Sequence, residues 1–236
     1  MAQGRTKRFY KDASVAEADG GFAVLLDGRP LRTPSRSAYA LPSRALAEAL
    51  AEEWRGQGEE IDPAAMPLTR LVDTAVEHVP VNRAPVAEQT LAYGKSDLLC
   101  YRAEGPEALA ARQAEAWDPI LDWLHAQHDA RLAVGQGVAF VEQPAEALMA
   151  LEKAVWHQGD FTLAGLSAAS SILGSLVLGL ALLGGRLTAE EAFRLATLDE
   201  VFQAEQWGVD GEARARLERL ERELMAIERF LRLIAA

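Results

Sequence analysis

The sequence predicts an α+β protein, mostly α, with a small N-terminal β-rich domain over residues 1–80 and a larger all-helical domain over residues 81–236. Three observations lead there. Short apolar runs separated by Asp-Gly and proline fill residues 7–41, the pattern of brief strands. From Ser43 onward the apolar residues recur every three or four positions, the period of a helix face. Pro80 to Asn82 then closes the last short segment before a long helical stretch. A chain of 236 residues suits one large domain or two modest ones, either with a substantial core.

The elements follow in order. Residues 14–18 read as an extended segment and Asp19-Gly20-Gly21 as a turn. Residues 22–26 are continuously apolar, and Asp27-Gly28 is a strong two-residue hairpin signal. Residues 29–33 return, Pro34 ends them, and residues 38–41 read as a last strand before Pro42. So few short strands do not hold together alone, so this sheet has to pack on something. Ser43 is placed to cap a helix whose buried face is marked by Leu46, Leu50 and Trp54, with Gly56 and Gly58 stopping it. A short helix begins at residues 68–72, and Pro80 closes it.

Residues 85–93 form the next helix. Residues 106–131 form a long one, kinked or broken at Trp117-Asp118-Pro119 because proline disfavours helix at the residue before it. Residues 135–141 connect, with a short extended piece, to a helix over 144–158 that carries proline in its first turn. Asp160 caps a helix running to Gly184-Gly185. Thr188-Ala189-Glu190-Glu191 is a capping box that opens a helix to Gln206, stopped by Gly208. Asp210 caps the last helix, where Ala213, Leu217, Leu220, Leu224, Ile227 and Leu231 form one stripe.

Residues 161–185 carry no charge, and a helix of that length, about 37 Å, would reach across a hydrocarbon core of about 30 Å. Ten of its 25 residues are Gly, Ser or Thr, and no Lys/Arg cluster marks one side, Arg186 standing alone. Leu166, Ala169, Leu173, Leu176, Val177, Leu180 and Leu183 share one side, and Ser167, Ser170, Ser171, Gly174, Ser175 and Gly179 lie broadly opposite. That division predicts a central bundle helix with no stable membrane insertion. The basic start around Gly4-Arg5-Thr6-Lys7-Arg8 has no apolar stretch behind it, so the sequence predicts no secretory signal.

The net charge is −11, although residues 1–44 hold eight basic and four acidic residues. So acidic a chain argues against a general nucleic-acid partner, which needs cations for phosphate. Cys100 is the only cysteine, which excludes an internal disulfide and any multi-cysteine metal site and suits a reducing, cytoplasmic compartment. Gly94-Lys95-Ser96 resembles the tail of a phosphate loop, but Gln89 stands where the first glycine belongs. Gly135-Gln136-Gly137 lacks the third glycine of a dinucleotide fingerprint, and residues 165–169 lack the second glycine of a nucleophile elbow. Cys100 lies in an apolar run and reads as packed. Asp122, His125 and Asp129 share a helix face and leave one alternative open, a helical small-molecule- or metal-binding protein or enzyme, against a solvated polar face.

A series of unusual peptides points elsewhere. They are Arg8-Phe9-Tyr10-Lys11, Leu26-Asp27-Gly28-Arg29-Pro30-Leu31-Arg32-Thr33-Pro34, Glu53-Trp54 with Gln57, Met66-Pro67-Leu68-Thr69, and Thr74-Ala75. Asp97-Leu98-Leu99-Cys100-Tyr101-Arg102, Trp117-Asp118-Pro119, and Asp199-Glu200 with Gln203 and Trp207-Gly208 complete it. Together, in this order and across nearly the whole chain, they resemble the F1-ATPase assembly chaperones that act on the alpha subunit. The resemblance implies a chaperone with a β-rich N-terminal and a helical C-terminal domain, neither catalysis nor a cofactor, and the unassembled F1-ATPase alpha subunit as partner. It implies a bacterial cytoplasmic protein, with eukaryotic relatives in the mitochondrial matrix. It also implies a functional acid at Asp199 or Glu200. On a helix, Asp199 shares a stripe with Leu195, Phe202 and Gln206 and is expected partly inward, whereas Glu200 lines up with Gln203 and Trp207. Asp199, Glu200, Gln203 and Trp207 are therefore the candidate partner-binding residues, with a packed Trp207 and a solvated Glu200 as the competing structural reading.

Overall fold

The computed structural model describes residues 6–208 and 210–236; Gly4 and Arg5 of the basic start lie outside the described residues. It falls into two compact units. The first is Met1–Arg83 with Asp160–Gly165 and Arg229–Ala236, and the second is Ala84–Gly159 with Leu166–Glu228.

In the first unit, strand β1 (Thr6–Lys7) is followed by an antiparallel sheet of β2 (Ala13–Ala18), β3 (Gly21–Leu26) and β4 (Arg29–Pro30), in that order. Asp27 and Gly28 both take positive φ, 48° and 77°, as the hairpin signal requires. The Asp27 carboxylate accepts the N–H groups of Lys11 and Asp12 at 3.0 and 2.9 Å, which fixes the entry to β2. The returning strand is shorter than expected. After Pro30, which has no N–H to donate, one more bond to β3 forms, Leu31 N–H to the Val24 carbonyl at 2.8 Å, and isolated bridges follow, Arg32 with Ala38 and Phe22 with Leu41.

Helix α1 (Arg44–Arg55) packs on β2 and β3, and Ser43 caps it by accepting Leu46 N–H at 3.0 Å. Leu46 and Leu50 are fully buried, with Val24 and Leu41 among the core residues of the same unit. Trp54 is only half-buried, because it falls in the last turn; its ring lies 5.5 Å from that of Tyr10, whose hydroxyl donates to the Trp54 carbonyl at 2.7 Å. Strand β5 (Glu60–Ile61) pairs with β1, and α2 (Pro67–Asp73) continues through a π-helical turn, Thr74–His78.

The Glu53 carboxylate, on α1, accepts Leu68 N–H at 2.8 Å and both the N–H and hydroxyl of Thr69 at 2.9 Å. It thereby caps α2, which has no cap from its own flanking residue. Glu53→Ala is expected to lose about 1–3 kcal/mol, the cost of unpaired buried donors. Thermal melting checks this, and an unchanged melt would show that water replaces the carboxylate.

The second unit is helical apart from one pair of two-residue parallel strands, β6 (Tyr101–Arg102) and β7 (Gly135–Gln136), where an all-helical domain was expected. Its helices are α3 (Arg83–Lys95), α4 (Glu107–His128), α5 (Ala145–Trp156), α6 (Asp160–Leu173), α7 (Leu176–Leu183), α8 (Ala189–Ala196), α9 (Leu198–Trp207) and α10 (Gly211–Ile234); α3, α6 and α10 each carry residues of the first unit at one end.

Four expectations are revised. Helix α4 runs unbroken through Pro119. The proline removes one N–H, but Trp117, Ile120 and Leu124 are buried on either side of it and hold the helix. Asp160 is the first residue of α6 rather than its cap, which is Gly159, and its carboxylate pairs with Arg83. The uncharged stretch is two helices, because Gly174 takes a left-handed turn (φ 63°) and Ser175 caps α7. No described helix is long and apolar enough to cross a membrane. The capping box of Thr188 and Glu191 forms, but its helix stops at Thr197, whose hydroxyl bonds back to the Phe193 carbonyl at 2.8 Å, a contact that bends helices. Residues 198–207 start again as α9.

Candidate protein-interaction surface

The chain restart at Thr197 sets how α9 is presented. Of its residues only Leu198 is buried. Its inner stripe rests on α4: the Arg112 guanidinium lies over the Phe202 ring at 5.5 Å, and Arg112 also pairs with Glu205 at 3.0 Å. Asp199 is half-buried and accepts the side-chain N–H of Gln113 at 2.8 Å.

Gln113 is the junction behind that contact. It is 1% exposed. Its side-chain oxygen accepts Ala103 N–H at 2.8 Å, and its backbone carbonyl accepts from Arg102 at 2.7 Å. Arg102 also pairs with Asp118 at 2.7 Å and lies over the Trp117 ring, whose indole N–H donates to the Leu195 carbonyl at 3.0 Å. Burial lowers the Arg102 pKa and the Asp118 carboxylate counters it, so the guanidinium stays charged. Arg102, Trp117, Asp118 and Asp199, drawn from three separate peptides of the sequence, thus form one network that seats the start of α9.

The outer side of α9 is different. Glu200 is exposed and pairs with Arg216 of α10 through both carboxylate oxygens, at 2.8 and 3.1 Å. Gln203 is exposed, Val201 is 43% exposed, and Trp207 is 81% exposed at the helix end. Across from them, Ala213, Leu217 and Leu220 of α10 are only half-buried, whereas Leu224, Ile227 and Leu231 further along are buried. The stripe expected to be core is therefore core only in its second half. Between the two helices lies an open groove of about 620 Å3, lined by Val201, Ala204, Trp207, Ala213 and Leu217 with Glu200 and Gln203 at its side.

The structure thus brings Glu200, Gln203 and Trp207 together on one exposed strip and places Asp199 against Gln113. Val201, Arg216 and Leu217 belong to the same surface and were not singled out from sequence. Leu217 carried a signal, since its stripe was visible, but burial was its simpler reading. Arg216 carried none, because the distance of 16 residues to Glu200 follows only from the turn between α9 and α10.

The Asp122, His125 and Asp129 alternative does not assemble. Asp129 takes a left-handed C-cap conformation (φ 55°), its side chain is 98% exposed, and its carboxylate stands 4.0 Å from His125 Nδ1. Among the described residues no group of three or more His, Cys, Asp or Glu side chains could hold a metal ion.

An uncovered apolar strip with polar groups beside it, held in place by a buried hydrogen-bond network, has the character of a protein-interaction surface. The profile of the family described as ATP12 chaperone protein matches residues 7–125. The crystal structure of Atp12 from Paracoccus denitrificans superposes with a TM-score of 0.94 at 44% identity, covering 97% of this chain and 98% of that one. A point variant of the same P. denitrificans protein gives 0.94 at 43% identity over the same shares. The mitochondrial protein atp12 of Schizosaccharomyces pombe is 24% identical over 220 residues, which is 88% of this chain and 76% of the relative. The chain belongs to the ATP12 family of F1-ATPase assembly chaperones, a family of chaperones and not of enzymes.

Proposed function

We propose that this chaperone binds the unassembled alpha subunit of F1-ATPase, prevents its aggregation and releases it to assembly with the beta subunit. A subunit built for a ring carries apolar interface surface that is exposed while it is alone, and such surface aggregates. The observation that carries the reading is the outer strip of α9, where Trp207 is 81% exposed beside an apolar groove. Aromatic residues anchor protein interfaces, and few other side chains offer as much area at so little entropic cost. Asp199, Glu200, Gln203 and Trp207 are the proposed partner-binding residues, with Asp199 acting by seating α9 and the other three by contact. The action is placed in the bacterial cytoplasm, which the lone, buried Cys100 suits.

Light scattering by isolated F1 alpha subunit tests this. Scattering is expected to fall to baseline at a near-stoichiometric ratio of the chaperone. Undiminished aggregation at a several-fold excess would overturn the assignment of the partner.

A further inference from the structure

Helix α9 is held differently from its neighbours. Of its ten residues only Leu198 is buried, whereas every residue of α7 from Leu176 to Leu182 is. No side chain caps its start. Beyond Leu198 and a half-buried Phe202, what ties it down is polar: Asp199 to the Gln113 amide, Glu205 to Arg112 and Glu200 to Arg216. Both ion pairs are half-exposed, and such pairs are weak. Space lies on two flanks of the helix. The α9–α10 groove of about 620 Å3 is on one, and a groove of about 600 Å3 between α4, α8 and α9 is on the other. Val201 and Glu205 border both, so the close packing that fixes a core helix is missing here. Both ends can turn. At Thr197 the backbone leaves the helix (φ −103°, ψ 14°). Gly208 takes φ 83° and ψ 170°, a region open to glycine, with free space where a side chain would stand.

We propose that α9 is a release flap: it leaves its seat as one unit about Thr197 and Gly208 while α7 and α8 stay folded, and Arg112 is the latch that sets how often. The inference rests on the proposed function, since what the flap lets go is the client held by its outer strip. Units that bury little apolar surface open locally at far less cost than global unfolding. Seated, α9 sets Trp207 beside Ala213 and Leu217 of α10 as one apolar surface. Lifted, it carries Trp207 away from that wall and divides the surface the client grips. The chaperone then gives up its client without unfolding its core.

Hydrogen exchange of the full chain without client tests the opening. The amides of residues 201–207 are expected to exchange together, with protection at least about a hundredfold below that of α7. Arg112→Gln removes the ion pair with Glu205 and the contact with the Phe202 ring, and should speed exchange in α9 about three- to tenfold with α7 unchanged. The dissociation rate of isolated F1 alpha subunit should rise by the same factor. Gln113→Met repeats the test from a buried residue out of a client's reach, and Arg112→Gln carries it should that variant melt early. Protection in α9 equal to that of α7, or loss that only fades inward from Trp207, would overturn the flap. Faster opening with an unchanged dissociation rate would overturn its role in release. A parent that binds no alpha subunit would overturn the proposed function and the release role with it, and exchange in the free chain keeps that failure apart from failure of the flap.

Discussion

Asp97→Ala is expected to lower stability by about 3–5 kcal/mol, since several buried donors would lose their partner at about 1–3 kcal/mol each. Asp97 is fully buried in the second unit, where its carboxylate accepts the Ser175 hydroxyl at 2.7 Å, Val177 N–H at 3.0 Å and Leu99 N–H at 3.1 Å. It holds the start of α7, all of whose residues from Leu176 to Leu182 are buried. For a chain of this size the melting temperature falls by roughly 10 °C. Burial pushes the Asp97 carboxyl up from 3.8 to about 6, and the hydrogen bonds from Val177, Ser175 and Leu99 work against the shift. A raised carboxyl pKa means that the folded chain holds the proton more tightly than the unfolded chain. The stability it contributes is therefore complete below about pH 4 and lost as pH rises through about 6. Asp97→Asn does not titrate, so the stability gap between parent and variant should widen from pH 7 to pH 5. A gap independent of pH would show that the carboxyl is ionised throughout.

Asp199→Lys and Glu200→Lys are expected to separate, although the residues are neighbours. Asp199→Lys removes the acceptor of the buried Gln113 amide and sets an ammonium against its N–H, at a cost of about 1–3 kcal/mol. Glu200→Lys breaks an exposed pair with Arg216, and such pairs contribute about 0–1 kcal/mol. Glu200→Lys should therefore fold almost normally yet weaken binding of the alpha subunit by about 2 kcal/mol or more, as charge reversal in an interface does. Asp199→Lys should lose stability and binding together, because α9 is no longer seated. Two variants that fold and bind like the parent would reduce the acidic pair to solvated charge.

The hairpin at Asp27-Gly28, the caps at Ser43 and Thr188, and the helical character of the chain after Pro80 are legible in the sequence because each rests on neighbouring residues. The inward lean of Asp199 and outward lean of Glu200 also follow from helix period alone. What was not legible depends on partners far away in the chain. The turn at Gly174-Ser175 is favoured because Asp97, 78 residues earlier, waits for the start of α7. The peptides that carry the family resemblance become intelligible in the same way: Arg8 donates to the Gln57 carbonyl at 2.6 Å, Glu53 caps the helix beginning at Pro67, and Arg102 pairs with Asp118. Most of these residues hold the fold, and only the last peptide reaches the exposed strip.

That strip is the core of the account, and Trp207→Ala tests it most directly. The side chain is 81% exposed at the end of α9, so its removal should leave the melting temperature within about 1–2 °C of the parent, in keeping with a surface change of less than about 0.5 kcal/mol. The dissociation constant for isolated F1 alpha subunit, measured by titration for parent and variant, should rise at least about tenfold, the effect of losing an aromatic anchor. A variant that melts like the parent and binds with the parent's dissociation constant would contradict the assignment of α9 as the surface that holds the client.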